Sequence, residues 1–195
     1  MKIITIDRLY GAGGHTVGRE VAKRLGIEFY DRDIIRTAVA ASGATQDEVE
    51  EEEEELSRVD SFIKAINPNS FDIKDVVFEN EKAAILELAQ KGPSVILGRC
   101  ASAILEEAGI ETLSVFLHAS REDRMAAVGR LIGSEDRAEI LACMKKMDHK
   151  RRYYYEYYTP RRWANGLDYD LFLNSHALGY EGCINTIVAI ASQQA

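Results

Sequence analysis

At 195 residues, 46% of them apolar, the chain has the size and composition of a globular protein with one substantial core, and it reads as a single folding unit over 1–195. A formal net charge of −8 argues against a general nucleic-acid binder, which needs a basic footprint for the phosphate backbone. No apolar run approaches the roughly 20 residues that cross a bilayer, so no membrane partner is expected. Met1 precedes one basic residue and a β-branched run with no small-residue cleavage site, which reads as a strand and not a signal peptide, and a cytoplasmic location is expected. Cys100, Cys143 and Cys183 are too widely spaced for a disulfide framework or a pairwise metal-ligand pattern.

Five short runs, β-branched or aromatic and bounded by turn residues, have strand character: KIITID (2–7), IEFYD (27–31), SVILGR (94–99), TLSVFLH (112–118) and DYDLFLN (168–174). SVIL and VFL are almost continuously apolar, as in strands buried on both faces of a parallel sheet. Segments of helical period lie between the strands, and this alternation predicts a three-layer α/β fold with a five-stranded parallel sheet.

Two intervals are too long for simple crossovers, and each is expected to carry a helical excursion. In 31–93, DRDIIRTAVAASG reads as a helix ending near Gly43 and VVFENEKAAILELAQKG as another ending at Gly92. Between them lie an acidic helix, with DEVEEEEEE (47–55) as a solvated face, and the loop INPNSFD. In 120–167, EDRMAAVGRL precedes a long KKMDHKRRYYYEYY helix that stops at Thr159-Pro160, where proline disfavours continuation.

The stretch DRLYGAGGHTVGRE, between the first strand and the first helix, has the order that aims backbone N–H groups and a helix N-terminus at a phosphate. A dinucleotide fingerprint would want glycine at positions 11, 13 and 16; position 16 is Thr, so that reading fails at its third glycine. Against G-x-x-x-x-G-K-[ST] the match also fails, but differently: with Gly11-Ala12-Gly13 on the glycine turn of the shorter phosphate-binding loop G-x-x-G-x-G-K-G-T, Gly14 stands where lysine should be and Thr16 takes the metal-binding hydroxyl position.

Together YGAGGHTVG, FYDRD, VILGRCASAIL, FLHASREDR and DHKRRYYYEYYTPRRW resemble the cytidylate kinase-like proteins, a branch of the P-loop nucleoside monophosphate kinases. The similarity runs from Lys2 to about Ile190, apart from the acidic insert. It implies a three-layer P-loop NTPase fold, a helical monophosphate-binding subdomain over 31–93, a basic lid over 120–167, and ATP with Mg²⁺ as cofactors. The implied reaction moves the γ-phosphoryl of ATP to a nucleoside monophosphate, CMP or dCMP first, with small-molecule nucleotides as the partners.

Residue by residue, the resemblance places Gly11, Ala12, Gly13, Gly14, His15, Thr16 and Val17 around the donor triphosphate, with Thr16 also reaching Mg²⁺. Arg99 matches the arginine that grips the acceptor phosphate, a task for which a planar fork suits better than lysine. Asp31 matches the start of the acceptor-side helix, and Arg36 lies one residue short of the usual arginine. Arg151 matches the lid arginine, with Lys150, Arg152, Arg161 and Arg162 available to join it over the phosphates. The five lid tyrosines between Tyr153 and Tyr158 either stack on a base or pack against the sheet and Trp163.

Leu97 and Cys100 stand where the ordinary cytidylate kinase has acids, Val128 stands where an arginine is expected, and His15 replaces an arginine frequent in the branch. Arg8 is the nearest candidate to do the missing lysine's work. A non-catalytic nucleotide-binding module, or a phosphotransferase on another small acceptor, would also accommodate these departures. Cys100, beside Arg99, is either a reactive thiol of depressed pKa or a buried inert one.

Overall fold

The structure, a computed structural model, describes residues 3–41 and 73–193. The acidic run 47–55, the helix end expected near Gly43 and the INPNSFD loop lie outside the described residues. In chain order the elements are β1 (Ile3–Arg8), α1 (Gly14–Leu25), β2 (Glu28–Tyr30), α2 (Arg32–Ala41), α3 (Ile73–Gln90), β3 (Ser94–Leu97), α4 (Ala101–Glu107), β4 (Thr112–His118), α5 (Arg121–Ile132), α6 (Arg137–Tyr158), β5 (Leu171–Asn174) and α7 (Gly179–Gln193).

The five strands form one sheet in the order β2-β3-β1-β4-β5, and every pairing is parallel. β1 is central and buried on both faces: Ile4 and Ile6 point one way, and Ile3, Thr5 and Asp7 the other. On the first face Ile4, Ile6, Val115 and Leu117 pack with Val17 and Val21 of α1 and Ile184 and Ile187 of α7. On the second, Ile3 and Ile96 meet Ile104 and Leu105 of α4, Ile85 of α3, Ile35 of α2 and Tyr155 of α6. This gives helix, sheet and helix in three layers. A third cluster, Met125, Val128, Ile140 and Met144, holds α5 against α6.

Because all strands run the same way, their C-terminal ends at Arg8, Leu97, His118 and Asn174 open on one edge, where open α/β sheets bind ligands. Among the element boundaries that differ from the sequence reading, four have an evident local cause or consequence. β3 stops at Leu97, not 99, since Gly98, Arg99 and Cys100 take left-handed φ values of 76°, 58° and 56° and turn the chain off the sheet. β5 starts at Leu171, because a 3₁₀ turn at Gly166–Asp168, capped by Asn165, occupies the residues before it. α6 begins at Arg137, where Asp136 accepts a hydrogen bond from the Ala138 N–H and supplies an N-cap. β1 extends by one residue, to Arg8, which pairs with Leu117.

The tyrosine cluster divides by helical period. Tyr155 is buried, and Tyr158 stacks on Phe78 at 3.9 Å between ring centroids. Tyr153 and Tyr157 face out, stacked on each other at 5.9 Å. Trp163 meets Phe116 edge-on at 5.7 Å, so the chain after α6 returns along the sheet. Among the described residues no helix is long and apolar enough to cross a membrane.

Candidate active site

The turn after β1 starts as a continuation of the sheet, the Leu9 N–H donating to the Leu117 carbonyl at 3.0 Å. It then reverses through Gly11 (φ 83°) and Gly13 (φ 80°), a left-handed geometry that L side chains rarely adopt. Gly13 caps α1 with no side-chain acceptor, which leaves first-turn N–H groups available to an anion. The glycines also make room for neighbours. A Cβ at Gly11 would lie 3.0 Å from the Arg124 carbonyl, one at Gly13 2.4 Å from the Tyr180 ring, and one at Gly14 2.8 Å from Arg8 Cγ.

Between these glycines and β1, Tyr10 is clamped by both α5 and α6. Its N–H donates to Asp148 Oδ1 at 2.7 Å, and its carbonyl accepts from Arg124 Nη1 at 3.1 Å. Arg124 and Asp148 close the clamp with an ion pair of 2.6 Å. Neither contact has a local sequence signal, since Tyr10 and Asp148 are 138 residues apart.

Arg8 runs from the loop to the turn after β3. Its Cγ covers Gly14, and its Nη1 lies 2.3 Å from where a Gly98 side chain would begin. Gly14, in the lysine position, thus leaves space that the Arg8 chain fills. Burial first, then the neighbouring Arg151, push the Arg8 guanidinium down to about 9, an effect that Asp7 partly offsets. Arginine does not give up its proton under such stress; the shift measures how strongly the site lacks negative charge. Among the described residues Arg8 has no hydrogen-bonded or ion-paired side-chain partner for its guanidinium. Arg151 stands over the Tyr10 ring at 5.3 Å and donates to the Arg8 carbonyl at 3.2 Å, so its charge joins that of Arg8.

In the turn after β3, Arg99 is held and oriented. It pairs with Glu81 of α3 at 3.2 Å and lies over the Tyr154 ring at 5.1 Å, while the Tyr154 hydroxyl donates to the same carboxylate. Glu81 is 2% exposed and went unnoticed in the sequence reading. A signal existed: it falls in the apolar stripe Phe78, Glu81, Ile85, Leu88, where a lone acid implies a buried cation. The left-handed Arg99 and Cys100 each store about 1–3 kcal/mol of backbone strain, the kind of outlier that gathers at functional sites. Cys100 itself is 2% exposed and burial pushes its thiol up, so it is the inert cysteine and not the reactive one. Iodoacetamide is expected to leave Cys100 unmodified until the protein unfolds; peptide mass spectrometry showing adduct at Cys100 in folded protein would contradict this.

Asp31 caps α2, accepting from the N–H groups of Asp33 and Ile34 at 3.1 Å each, and its other oxygen lies 3.3 Å from His15 Nε2. That contact ties the start of α1 to the start of α2. Arg36 is half-buried on α2. Thr16 is exposed in the first turn of α1, and Val17 is buried beneath it in the core.

The lid arginines do not converge as expected. Arg151 reaches Arg8, but Arg152, the next residue, turns by about 100° and lines a groove between α5 and α6. Arg161 pairs with Glu106 of α4 at 2.6 Å and lines a cavity with Gly109 and Thr112. Thr112 pairs with Ile3, at the end of the sheet opposite the glycine loop, so the structure places Arg161 away from the phosphate edge. Arg162 follows it as an exposed residue on the same returning segment. The cause is Thr159-Pro160, which ends α6 and redirects the chain.

Asp7, at the end of β1, is a second residue that the sequence reading passed over. It is 7% exposed, accepts a hydrogen bond from the Tyr169 hydroxyl at 3.3 Å, and has its carboxyl raised above 3.8 by burial despite Arg8 and Arg151. An acid raised in the folded state binds more protons than the unfolded chain between 3.8 and its folded value, so its contribution to stability is lost as pH rises through that window. Asp7→Asn is therefore expected to raise the melting temperature at pH 7 more than at pH 4; equal shifts at both would refute it.

Residues 3–177 match the cytidylate kinase-like family. No curated protein matches the sequence. Among solved structures, the chain is similar to an uncharacterized protein from Eubacterium ventriosum, with a TM-score of 0.74 and 21% identity over 97% of this chain and 98% of that one. It is also similar to a shikimate kinase from Acinetobacter baumannii solved with shikimate, at TM-score 0.52 and 17% identity over 100% and 94% of the two chains. A shikimate kinase from Bacteroides thetaiotaomicron gives TM-score 0.53 and 14% identity, with 98% of each chain covered. At such identities these are likenesses of fold, that of the P-loop kinases. The sequence match spans nearly all of the chain, including the glycine loop, the Gly98-Arg99 turn and both lid helices: the chain belongs to the cytidylate kinase-like family.

Proposed function

We propose that this protein transfers the γ-phosphoryl group of ATP to a nucleoside monophosphate, with CMP or dCMP the first candidates. Membership of a kinase-like family supports nucleotide-dependent phosphoryl transfer. The observation that carries the reading for these residues is Arg8: a desolvated guanidinium without a side-chain partner among the described residues, laid between the glycine loop and the Gly98-Arg99 turn.

Phosphoryl transfer depends on holding two phosphate groups in line and offsetting their charge. The first-turn N–H groups from Gly14 to Thr16 hold the donor's terminal phosphates, where left-handed Gly11 and Gly13 keep the loop open. Arg8 and Arg151 meet the charge of the group in transit. Arg99 meets the acceptor phosphate, its fork aimed by Glu81 and Tyr154. An acceptor phosphate oxygen bonds to the γ-phosphorus, the bond from that phosphorus to the β–γ bridging oxygen breaks, and ADP keeps the electron pair.

The exposed Thr16 hydroxyl fits Mg²⁺ held chiefly by substrate phosphates and water, the usual mode for this ion. Among the described residues no group of three His, Cys, Asp or Glu could cage a metal unaided. When bound, Mg²⁺ supplies further charge stabilisation to the phosphates.

A second reading, transfer to a different small acceptor, is favoured by one feature. Leu97 and Cys100, on either side of Gly98-Arg99, are 3% and 2% exposed and offer no carboxylate to a base. Incubation with ATP, Mg²⁺ and a panel of nucleoside monophosphates and small alcohols, following ADP, separates these. Turnover confined to CMP and dCMP supports the first reading, and turnover confined to an alcohol supports the second. ATP binding without turnover on any acceptor would leave a non-catalytic nucleotide-binding module.

A further inference from the structure

We propose that the groove between α5 and α6 is a second anion site, built to take a diphosphate group and separate from the glycine loop. The groove encloses about 440 Å³. α5 lines it with Arg121 and Arg124, and α6 with Lys145, His149 and Arg152. Leu141 and Met144 form an apolar floor. The one acid in the lining is Asp148, and its two oxygens are already engaged by Tyr10 and Arg124.

Three features make this more than a solvated face. First, Lys145, His149 and Arg152, spaced to lie on one side of α6, have no ion-pair partner among the described residues, and the lining adds Arg121 and Arg124 against one acid. Second, Arg124 Nε is buried without a hydrogen-bond partner, although Nη1 of the same guanidinium donates to both Tyr10 and Asp148. Leaving a charged donor buried and unmatched is costly, and an anion in the groove would relieve it. Third, the stripe lies about a third of a turn around α6 from Arg151, which serves the glycine loop.

The groove is nevertheless wired to that loop. Arg124 and Asp148, which hold the carbonyl and N–H of Tyr10, also form its wall. An anion that draws Arg124 changes the grip on Tyr10, so binding in the groove and binding at the loop are coupled, and coupling between two sites is reciprocal.

The test is calorimetric titration of the full chain with inorganic pyrophosphate and, separately, with ADP. The double variant Lys145→Glu, His149→Glu replaces two exposed residues, so it should fold with an unchanged melting temperature. It is expected to weaken one class of site by at least about tenfold, as for loss of a charge-assisted contact. Weakening for pyrophosphate alone assigns the groove to free diphosphate, and weakening for both assigns it to the diphosphate of a nucleotide as well. Isotherms unchanged for both ligands would overturn the proposal. Failure of the kinase reading has a different signature, Arg8→Ala with undiminished ATP binding.

Discussion

Arg8→Ala is expected to lower ATP affinity and turnover by about two orders of magnitude each while leaving the protein at least as stable as before. The two effects go in opposite directions for one reason. In the free protein the guanidinium is desolvated and pressed by Arg151, Arg99 and Arg32, with only Asp7 in its favour, so its removal relieves repulsion. With a triphosphate present the same concentration of charge is what binds, and a charge-assisted contact in a dry site is worth several times one in water. A merely structural arginine would lose stability on truncation; this one should not. Arg8→Lys should recover only part of the function, because the Arg8 stem lies over Gly14 and sets a planar fork beside Gly98, whereas an ammonium is a single point of charge. Calorimetry with ATP, steady-state rates and a thermal melt decide the matter together. Undiminished ATP affinity in Arg8→Ala would remove the central support for the proposed mechanism.

Glu81→Ala should cost about 3–5 kcal/mol of stability, the penalty for leaving a buried charge uncompensated. Glu81 is 2% exposed, and its carboxylate serves both the Arg99 guanidinium, itself 17% exposed, and the Tyr154 hydroxyl. Removing it takes the shared carboxylate from both a cation and a phenol in the layer between α3, α4 and α6. The double variant Glu81→Leu, Arg99→Leu should recover much of that loss, since an apolar pair of similar volume has no desolvation penalty to meet. It should not recover transfer, because the acceptor phosphate would have lost its arginine. Urea denaturation of the single and double variants measures this; equal destabilisation by Glu81→Ala and the double variant would show that packing, and not the pair, is what Glu81 provides. The ion pair is thus read as a device for aiming Arg99, at a net cost to the fold.

Much of the architecture was legible along the chain because its cause is local. Strands covered on both faces must be continuously apolar, and SVIL and VFL are. A loop that turns through left-handed residues needs glycine, and Gly11 and Gly13 supply it. The end of α6 at Tyr158 follows from Pro160, whose predecessor is barred from helical geometry. The strand that begins with SVIL is two residues shorter than its sequence suggests, because Arg99 and Cys100 adopt left-handed backbone that neither residue type announces.

Sequence alone determined the three-layer plan, the glycine loop and the run of basic residues from Lys145 to Arg162, since periodicity and backbone restriction act over a few residues. Only the tertiary structure decided which cation serves which purpose. Arg151, Arg152 and Arg161 lie close together in the chain, yet one joins Arg8, one enters the α5–α6 groove and one pairs with Glu106. Helical rotation and a single proline separate them. Likewise Arg99 meets Glu81, and Tyr10 meets Asp148, through packing of elements remote in sequence, where charge and burial are settled by neighbours that no local pattern can specify.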